Sequence, residues 1–476
     1  MEKKYVKCRE CNKIRTSSYE NHQICHICYI AKRRIIPSGN KVIDDFIIYT
    51  QTNNEQDNGK MIFVPYENFN NIEHIGEGGF SKIYKATWID CKISDEGTLD
   101  YTLLNKSKTV ALKKLNDSKD ITSKELNELK MFYHYSLNGD NLIYDSHSSH
   151  VNVYYGITQD RITQDLIFIM PYYNSDLTHY IIKDFFNIHW SFKLTILKNI
   201  IDGLADIHGV NIIHRDLHSG NILFSDLKAR LCDLGTSKSA TESTDNEEEI
   251  YGIIPYVAPE VLQGKKYTKA SDIYSFGMIM WEVMVGRRPF WDRNHNTELI
   301  IEICDGLRPP IITNAPGGYI DLMKKCWHSD PVKRPIADEI LKEITEIYHY
   351  GHKPIIIKSS DIGPVTTNNP KAIYKSRYLS DMIKSAASTI SLRIQSVTSE
   401  LVKRKFNDNQ LDNSIDNRFD NGKNIKRIKI IKDESIDYIT TELEFDIDTK
   451  SDQSNDGKII IPYLDINFYT SNEKRE

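Results

Sequence analysis

The chain has 476 residues, of which 40% are hydrophobic and 27% are charged, enough for a large core in two to three domains. A formal net charge of −5 gives no global electrostatic basis for binding nucleic acid or an anionic membrane. The start, MEKKYVKCRE, lacks the apolar core of a secretory signal, and no uncharged apolar run reaches the roughly 20 residues of a membrane span. We therefore expect a cytoplasmic protein without a membrane partner, with nuclear import through basic tail segments as the alternative.

Four of the eight cysteines lie within the first 28 residues, in two Cys-x-x-Cys pairs. In a reducing compartment such pairs bind metal more often than they form disulfides. Two tight turns that each offer two thiolates provide the four soft ligands of a closed tetrahedral zinc site. The sequence therefore predicts a zinc-ribbon-like module over residues 1–36 with a structural zinc, and the alternative is four ordinary reduced cysteines. The predicted zinc ligands are Cys8, Cys11, Cys25 and Cys28.

Residues 37–68 are polar and rich in turn formers, with one apolar patch from Val42 to Ile48. This composition predicts a short helix within a linker rather than a second core. The linker would end where the next pattern begins, at Phe69.

From Phe69 the chain has a strand, a glycine turn and a second strand, NIEHIGEGGFSKIYKATW. Three glycines would let the backbone lie close over a triphosphate, and two flanking isoleucines are placed to cover an adenine ring. Ser81 stands at the third glycine of G-x-G-x-x-G, where we expect it to stiffen the loop without abolishing phosphate contact. Glycine turns between strands are common, so this pattern carries little weight alone. The five residues are Ile75, Gly76, Gly78, Gly79 and Ile83.

A further strand, TVALKKL, matches the V-A-I-K pattern with Ala111 and Lys113. A lone lysine on a strand is normally a solvated charge. Glu128 follows fifteen residues later within the helical segment SKELNELKMFYHY, close enough to supply an ion-pair partner for the lysine. Glu125, one turn earlier, is the alternative partner.

An ordered series of motifs occupies the middle of the chain. Ile213 to Leu223, IHRDLHSGNIL, matches H-R-D-L-x-x-x-N at eight positions. Asp233-Leu234-Gly235 has D-L-G in place of D-F-G, and leucine can fill the apolar slot of phenylalanine, so we expect altered packing rather than lost metal binding. Ala258-Pro259-Glu260 follows, then Asp272 at the start of a strongly apolar helix, and then Arg334 in CWHSDPVKRP.

The stretch between D-L-G and A-P-E is rich in hydroxyl and acidic residues. Phosphorylation there would create a partner for Arg215, which precedes the aspartate of the H-R-D motif. The alternative is an acidic run that already neutralises Arg215 or is merely solvated. The candidate phosphate acceptors are Ser237, Ser239, Thr241, Ser243 and Thr244.

With these motifs in this order, residues 69–349 resemble a complete eukaryotic protein kinase domain. The double Cys-x-x-Cys, WIDC, HRDLHSGNIL, YGIIPYVAPE and the trailing NPKAIYKSRYLS are also similar to a lineage-expanded fungal group of tyrosine-kinase-like serine/threonine kinases. The resemblance implies an α+β, bilobal fold with a small β-rich N-lobe, a large helical C-lobe and ATP in the cleft between them. Residues 350–476 turn polar and are predicted to form a mostly disordered tail.

The resemblance also implies a role for each motif residue. Asp216 would accept or orient the proton of the substrate hydroxyl, Asn221 and Asp233 would hold magnesium, for which manganese can substitute, and Lys113 paired with Glu128 would position the phosphates. Asp272 would anchor the backbone of the catalytic loop, and Arg334 would pair with Glu260. The other nucleotide-binding residues implied are Ala111, Met170, Tyr172 and Leu223.

The acceptor type is where the sequence departs from the family pattern. Serine/threonine kinases usually carry a lysine two residues after the catalytic aspartate and a threonine before A-P-E, where this chain has His218 and Ile253. The arginine-bearing loop and Pro-x-x-Trp segment of tyrosine kinases are missing too. Family likeness therefore favours a serine/threonine kinase of protein substrates, activated in turn by an upstream kinase. The alternatives are a tyrosine or dual-specificity kinase, a pseudokinase scaffold, or a nucleic-acid adaptor built on the cysteines and basic tail, although nucleic acid is not an expected partner.

Overall fold

The first described part of the chain is a small cysteine module. The computed structural model describes residues 6–15, 24–53, 59–94, 106–138, 150–225, 228–240, 249–312, 315–356, 358–365 and 367–392. Strands β1 (Val6–Lys7) and β2 (Ile14–Arg15) pair antiparallel, and helix α1 (His26–Arg34) follows them. Cys8, Cys25 and Cys28 are buried together with Ile24 in a cluster of their own. Sulfur atoms therefore make up most of the centre of this module.

The short helix expected between residues 37 and 68 is present and packs into the main core. Helix α2 (Lys41–Asn53) buries Ile43, Phe46 and Ile47, which recur at the spacing of an amphipathic helix. After α2, Phe63 forms a parallel bridge with Ile157 at the edge of the larger sheet. The segment predicted as a linker is therefore part of the folded domain, because its apolar face is covered.

A five-stranded antiparallel sheet forms the N-lobe, with strand order β3-β4-β5-β7-β6. Side chains alternate on β5, so that Val110 and Leu112 enter one apolar cluster and Ala111 enters another. Both faces of the sheet are therefore covered. Its elements are β3 (Phe69–Glu77), β4 (Ser81–Trp88), β5 (Lys108–Leu115), helix α3 (Asn127–Asn138), β6 (Gly156–Gln159) and β7 (Leu166–Pro171).

The C-lobe is mostly helical, so the predicted two-lobed architecture is confirmed. Its elements are β8 (Ser175–Asp176), α4 (Leu177–Asp184), α5 (Trp190–Gly209), β9 (Ile212–Ile213), β10 (Ile222–Ser225), β11 (Lys228–Leu231), β12 (Lys238–Ser239), β13 (Tyr251–Gly252), α6 (Pro259–Leu262), α7 (Lys269–Val285), α8 (Thr297–Cys304), α9 (Tyr319–Cys326) and α10 (Ala337–Tyr350). In the described part of the chain, none of the helices has both the length and the apolarity to cross a bilayer.

Helix α7 forms the centre of this lobe. It begins with a capping box between Thr268 and Ser271 and is buried from Ser271 to Val285. It ends at Gly286, whose left-handed φ of 79° favours glycine. A Cβ at this position would lie 2.6 Å from the ring of Phe185, so the glycine also permits close packing against the residues after α4.

The folded structure does not end near residue 350, where the sequence predicts the start of a polar tail. Residues 358–365 and 367–392 continue along the kinase-like region, with Gly363 donating its N–H to the carbonyl of Val285 at 2.8 Å. Strand β14 (Arg377–Tyr378) pairs antiparallel with β13, and a helix over residues 380–392 follows. Leu379, Ile383 and Ala386 are buried in the main core, which explains why this stretch stays attached. The rest of the predicted disordered tail, with its basic segments, lies outside the described residues.

Candidate active site

A buried carboxylate holds the catalytic-loop motif between β9 and β10. Asp272 of α7 accepts backbone N–H bonds from His214 at 2.8 Å and from Arg215 at 2.9 Å. Asp272 is 1% exposed, and Arg215 has a left-handed φ of 72°, which is uncommon for any residue with a Cβ. Because one carboxylate satisfies both N–H groups, it fixes the backbone that presents the next residue, Asp216. These are the contacts that the resemblance implies for Asp272.

Asp216, Asn221 and His218 form one polar group within this loop. The side-chain amide of Asn221 donates to the backbone carbonyl of Asp216 at 2.9 Å. Burial raises the pKa of Asp216 to about 7. Nε2 of His218 is 3.8 Å from Oδ2 of Asp216, and burial lowers the pKa of this histidine to about 4. The imidazole is therefore neutral at pH 7 and does not replace the positive charge of the lysine that serine/threonine kinases usually carry here.

The ammonium group of Lys113 lies between two carboxylates. Its Nζ is 2.8 Å from Oε2 of Glu128 on α3 and 2.9 Å from Oδ1 of Asp233. Burial alone would lower the pKa of Lys113, but the charges of Asp233 and Glu128 outweigh burial and raise it. Glu125, the alternative partner, instead accepts hydrogen bonds from the N–H and hydroxyl of Thr122 at 2.6 and 2.5 Å. The structure thus brings together the two residues that the sequence pairs first.

Asp233 points into the site from a strained turn. Its φ is 63°, and its Oδ1 accepts the N–H of Gly235 at 3.2 Å. Burial opposes ionisation, but the neighbouring Lys113 charge lowers the pKa of Asp233. Leu234 turns away into the main core and is 1% exposed. Leucine thus fills an apolar slot here while the carboxylate stays directed at the lysine.

The sheet presents several of the predicted nucleotide-binding residues on one face. Ile83 stands opposite Lys113 in the β4–β5 register, and Ala111 stands opposite Met170 in the β5–β7 register. Directly opposed residues of antiparallel strands share a face, and Ala111 and Lys113 are two apart on one strand. Ile83, Ala111, Lys113 and Met170 are therefore neighbours on the side of the sheet that carries the lysine.

The other predicted nucleotide-binding residues lie at the borders of this face. The turn between β3 and β4 is closed by the N–H of Gly78, which donates to the carbonyl of Ser81 at 2.7 Å. Ile75 is half-exposed beside a bulge of β3, and Tyr172 follows β7 with Lys85 above its ring at 4.6 Å. Leu223 lies on β10 of the C-lobe, opposite Asp176 of β8. The predicted set is thus divided between the two lobes. Gly76 lies on β3 opposite Ile83 of β4, and Gly79 lies in the turn between the two strands.

A buried ion pair joins the A-P-E motif to the late arginine. The guanidinium of Arg334 donates to both carboxylate oxygens of Glu260 at 2.7 Å. It also donates to the carbonyls of His328 and Ala270 at 2.8 Å. The side chains of Arg334 and Glu260 are 0% and 6% exposed, so the pair is a structural brace.

One of the predicted phosphate acceptors between D-L-G and A-P-E is buried. Ser237 is fully buried and donates to the carbonyl of His214 at 3.1 Å, so it is not an accessible phosphate acceptor. Ser239 lies on β12. The guanidinium of Arg215 lies 4.9 Å from the ring centre of Tyr267. The three other candidates, Thr241, Ser243 and Thr244, lie outside the described residues.

The amino-terminal cysteines form a second candidate site. The four sulfur atoms of Cys8, Cys11, Cys25 and Cys28 all lie within 4.8 Å of one another. The N–H of Cys25 points at the sulfur of Cys8 at 3.2 Å, a contact that favours a thiolate. Four thiolates at this separation are the donor set of a closed zinc site.

Two residues of the active site are missed by sequence reasoning. The hydroxyl of Tyr154 donates to Oε1 of Glu128, and the hydroxyl of Ser376 donates to Oδ1 of Asp216 at 2.9 Å. Tyr154 stands in VYYGI, a short apolar run that indicates only a strand, and it lies just before β6. Ser376 stands in NPKAIYKSRYLS, where the one available signal is a serine flanked by Lys375 and Arg377.

Several curated proteins are similar to this chain. One is the Dictyostelium discoideum protein named probable serine/threonine-protein kinase roco5, which is 36% identical over 35% of this chain and 6% of its own length. A second, probable serine/threonine-protein kinase roco8 of the same organism, is 36% identical over 34% of this chain and 9% of its own length. A third protein of this organism, also described as a probable serine/threonine-protein kinase, is 28% identical over 58% of this chain and 15% of its own length. The chain thus matches only a small part of each relative.

The family comparison covers the larger part of the chain. Residues 69–344 match the model of the protein tyrosine and serine/threonine kinases. This range contains the sheet with Lys113, the catalytic loop, the D-L-G turn and the brace formed by Arg334. The chain belongs to the protein tyrosine and serine/threonine kinase family.

Proposed function

We propose that this chain is an ATP- and magnesium-dependent protein kinase that transfers the γ-phosphate of ATP to serine and threonine hydroxyls of protein substrates in intracellular signalling. The contact of Lys113 with both Glu128 and Asp233 carries the proposal. It joins the phosphate-holding lysine to the metal-holding aspartate, the two parts that position ATP in this family. A scaffold without turnover has no need to keep a buried lysine and a buried glutamate in contact with a third charge, that of Asp233.

The residues present fit magnesium. Magnesium prefers hard oxygen ligands, and Asp233 offers a carboxylate. The nitrogen of the Asn221 amide is engaged with the carbonyl of Asp216, so the amide oxygen is the atom that would hold the metal. When bound, magnesium neutralises charge on the phosphate oxygens. Lys113 would hold the phosphates, and Asp216 would orient the acceptor hydroxyl and take its proton.

Specificity for serine and threonine is supported by the names of the relatives and by family likeness. The neutral His218 beside Asp216 departs from the usual lysine, which keeps a tyrosine or dual-specificity kinase as the alternative. The three relatives described above come from Dictyostelium discoideum and do not support the likeness to a fungal group of tyrosine-kinase-like kinases, which stays a prediction from the sequence.

Phosphate transfer by the purified full chain tests the proposal. With ATP binding verified separately, the chain is given magnesium, ATP and matched peptide pools whose acceptor is serine, threonine or tyrosine. We expect transfer to the serine and threonine pools and its loss in Asp216→Asn. If the wild type transfers no more phosphate than Asp216→Asn, the catalytic proposal is wrong. If only the tyrosine pool is labelled, the specificity is wrong.

We also propose that Cys8, Cys11, Cys25 and Cys28 hold one structural zinc and that the protein works in the cytoplasm. The distances among the four sulfurs support the zinc site. Zinc would supply the free energy that the few apolar side chains of this module cannot. Elemental analysis of the purified chain tests the zinc site, with about one zinc per chain expected.

A further inference from the structure

Residues 374–379, which follow the kinase domain, lie on the side of the active site where the hydroxyl of a substrate would bind. These residues are called the segment below. Strand β14 pairs with β13, which lies between the D-L-G and A-P-E motifs, with Arg377 opposite Gly252 and Tyr378 opposite Tyr251. The N–H of Leu379 donates to the carbonyl of Ile250 at 2.9 Å. Main-chain pairing of this kind is how an extended peptide binds along a strand edge.

Ser376 is placed at the catalytic aspartate by this pairing. Its Oγ donates to Oδ1 of Asp216 at 2.9 Å and lies 3.3 Å from Nε2 of His218. Its backbone carbonyl accepts the hydroxyl of Tyr251 at 2.9 Å. The Ser376 hydroxyl therefore points at Asp216, the carboxylate that would orient an acceptor hydroxyl and take its proton.

The glycine turn of the N-lobe lies directly over the same residue. A Cβ on Gly79 would lie 2.7 Å from the carbonyl oxygen of Ser376, so only glycine permits this approach. Lys375 pairs with Glu77, the last residue of β3 before the turn, at 3.3 Å. Phe80 packs against Tyr378, with ring centres 5.7 Å apart. Both lobes therefore contact the segment around Ser376.

Residues before and after the serine anchor the segment to the C-lobe. The hydroxyl of Tyr374 donates to the carbonyl of Pro289 at 2.8 Å, and Arg288 lies 4.7 Å from the centre of its ring. Arg377 donates to the carbonyl of His295 at 2.8 Å. Leu379 is fully buried. With anchors on both sides, the position of Ser376 is fixed by the packing of the domain and not by one hydrogen bond.

We propose that Ser376 is a phosphate acceptor of this enzyme, phosphorylated within the same molecule, and that the segment then leaves the cleft to admit protein substrates. This proposal rests on the kinase activity proposed above. Oγ of Ser376 would attack the γ-phosphorus of ATP, forming an O–P bond while the bond from that phosphorus to the β,γ-bridging oxygen breaks. ADP leaves, and the hydroxyl proton passes to Asp216.

The charges around the new phosphate would drive the segment out of the cleft. A phosphoserine carries about −1.5 to −2 charges at neutral pH and would stand beside the carboxylate of Asp216. Repulsion and the size of the phosphate oppose the contacts that hold residue 376 in place, while the buried Leu379 opposes full detachment. The unmodified segment would therefore compete with other substrates, and the modified one would not.

Dilution distinguishes transfer within one molecule from transfer between molecules. The full-length chain is first dephosphorylated, then given magnesium and ATP, and the peptide that contains Ser376 is followed by mass spectrometry at several enzyme concentrations. Transfer within one molecule predicts a rate constant that does not change on dilution. A rate constant that falls in proportion to enzyme concentration would overturn the proposal.

A pair of serine variants tests the consequence for other substrates. Ser376→Ala removes the acceptor but keeps the backbone pairing, whereas Ser388→Ala changes an exposed serine on the helix that follows. We expect wild type and Ser388→Ala to phosphorylate an added peptide after a lag that preincubation with ATP abolishes. Ser376→Ala should stay at the initial low rate. Equal peptide rates for Ser376→Ala and wild type at all times would contradict the release step.

The outcomes also separate this proposal from the proposed function. If the enzyme phosphorylates added peptides while Ser376 stays unmodified, the enzyme is a kinase and Ser376 is not its acceptor. If no acceptor of any kind is labelled above Asp216→Asn, the kinase proposal is wrong and the proposal for Ser376 is wrong with it.

Discussion

The hydroxyl of Tyr154 donates a hydrogen bond to Oε1 of Glu128, the carboxylate that holds Lys113. Tyr154 is 2% exposed, and its ring lies against Phe132 of α3 and Phe168 of β7 with centres 5.1 and 6.3 Å apart. The glutamate is therefore held from two sides, by the lysine and by the tyrosine. Tyr154 acts as a positioning residue because it would touch the nucleotide only through Glu128 and Lys113.

Tyr154→Phe removes this hydroxyl and keeps the ring. We expect kcat/KM to fall about 10- to 150-fold, because a hydrogen bond to a buried charge contributes roughly 1.5–3 kcal/mol. The matched control is Tyr133→Phe, which removes a hydroxyl that contacts the carbonyl of Thr50 at 3.4 Å, away from Glu128. Steady-state kinetics and thermal unfolding are measured for both. A similar loss of activity in the two variants would show that the effect is one of general stability.

Arg334→Ala should destabilise the domain strongly. The substitution leaves the carboxylate of Glu260 buried without its partner, which costs about 3–5 kcal/mol. Urea unfolding measures the loss. Lys325→Ala is the control, because it breaks an exposed pair with Glu343 at 3.1 Å, and it should change the free energy of unfolding by only about 0.5 kcal/mol. Equal losses in the two variants would contradict the structural role of the buried brace.

The sequence predicts those site residues that are close together along the chain, either within one short loop or on a strand and the helix that follows it. Asp216 and Asn221 belong to a single loop, and Lys113 and Glu128 are fifteen residues apart on successive elements. Such short stretches allow few backbone arrangements, so the spacing of the motif residues determines their geometry. The two-lobed fold follows in the same way from the order of the motifs.

Residues whose role depends on distant packing could not be predicted. Ser376 reaches Asp216 across 160 positions, and nothing in the local pattern of a polar tail indicates which surface it contacts. Periodicity identifies the buried face of α2 but not the element that covers it. Ser237 shows the opposite error, because a hydroxyl in a polar loop can still be turned into the core.

Removal of one cysteine should release the metal of the amino-terminal module. We expect about one zinc per chain in the wild type by elemental analysis, and a large loss in Cys8→Ser, because a closed structural site needs all four thiolates. Cys304→Ser is the control, since Cys304 lies outside the cluster. Chelation should also lower the unfolding temperature of the wild type and leave that of Cys8→Ser unchanged. Equal zinc content in Cys8→Ser and wild type would contradict the site.

The burial of Lys193 should give the protein an unusual dependence of stability on pH. It is 1% exposed on α5, and within the described residues no acceptor hydrogen-bonds its ammonium, which lies 3.7 Å from the centre of the Phe185 ring. Burial lowers the pKa of Lys193 to about 7. The unfolded chain, with an ordinary lysine pKa near 10.4, therefore binds more protons than the folded chain between pH 7 and 10.

The contribution of Lys193 to the free energy of unfolding should therefore rise with pH, by about 2 kcal/mol between pH 7 and 9. Lys193→Met keeps the length and apolar contacts of the side chain without its charge, so it should be more stable than wild type at pH 7 and should lose this rise. Lys198→Met, at an exposed position of the same helix, should keep it. Urea unfolding at pH 7, 8 and 9 gives the three slopes. A wild-type slope equal to that of Lys193→Met would mean that Lys193 is already charged in the folded protein at pH 9, with a partner supplied by rearrangement of the residues around Phe185.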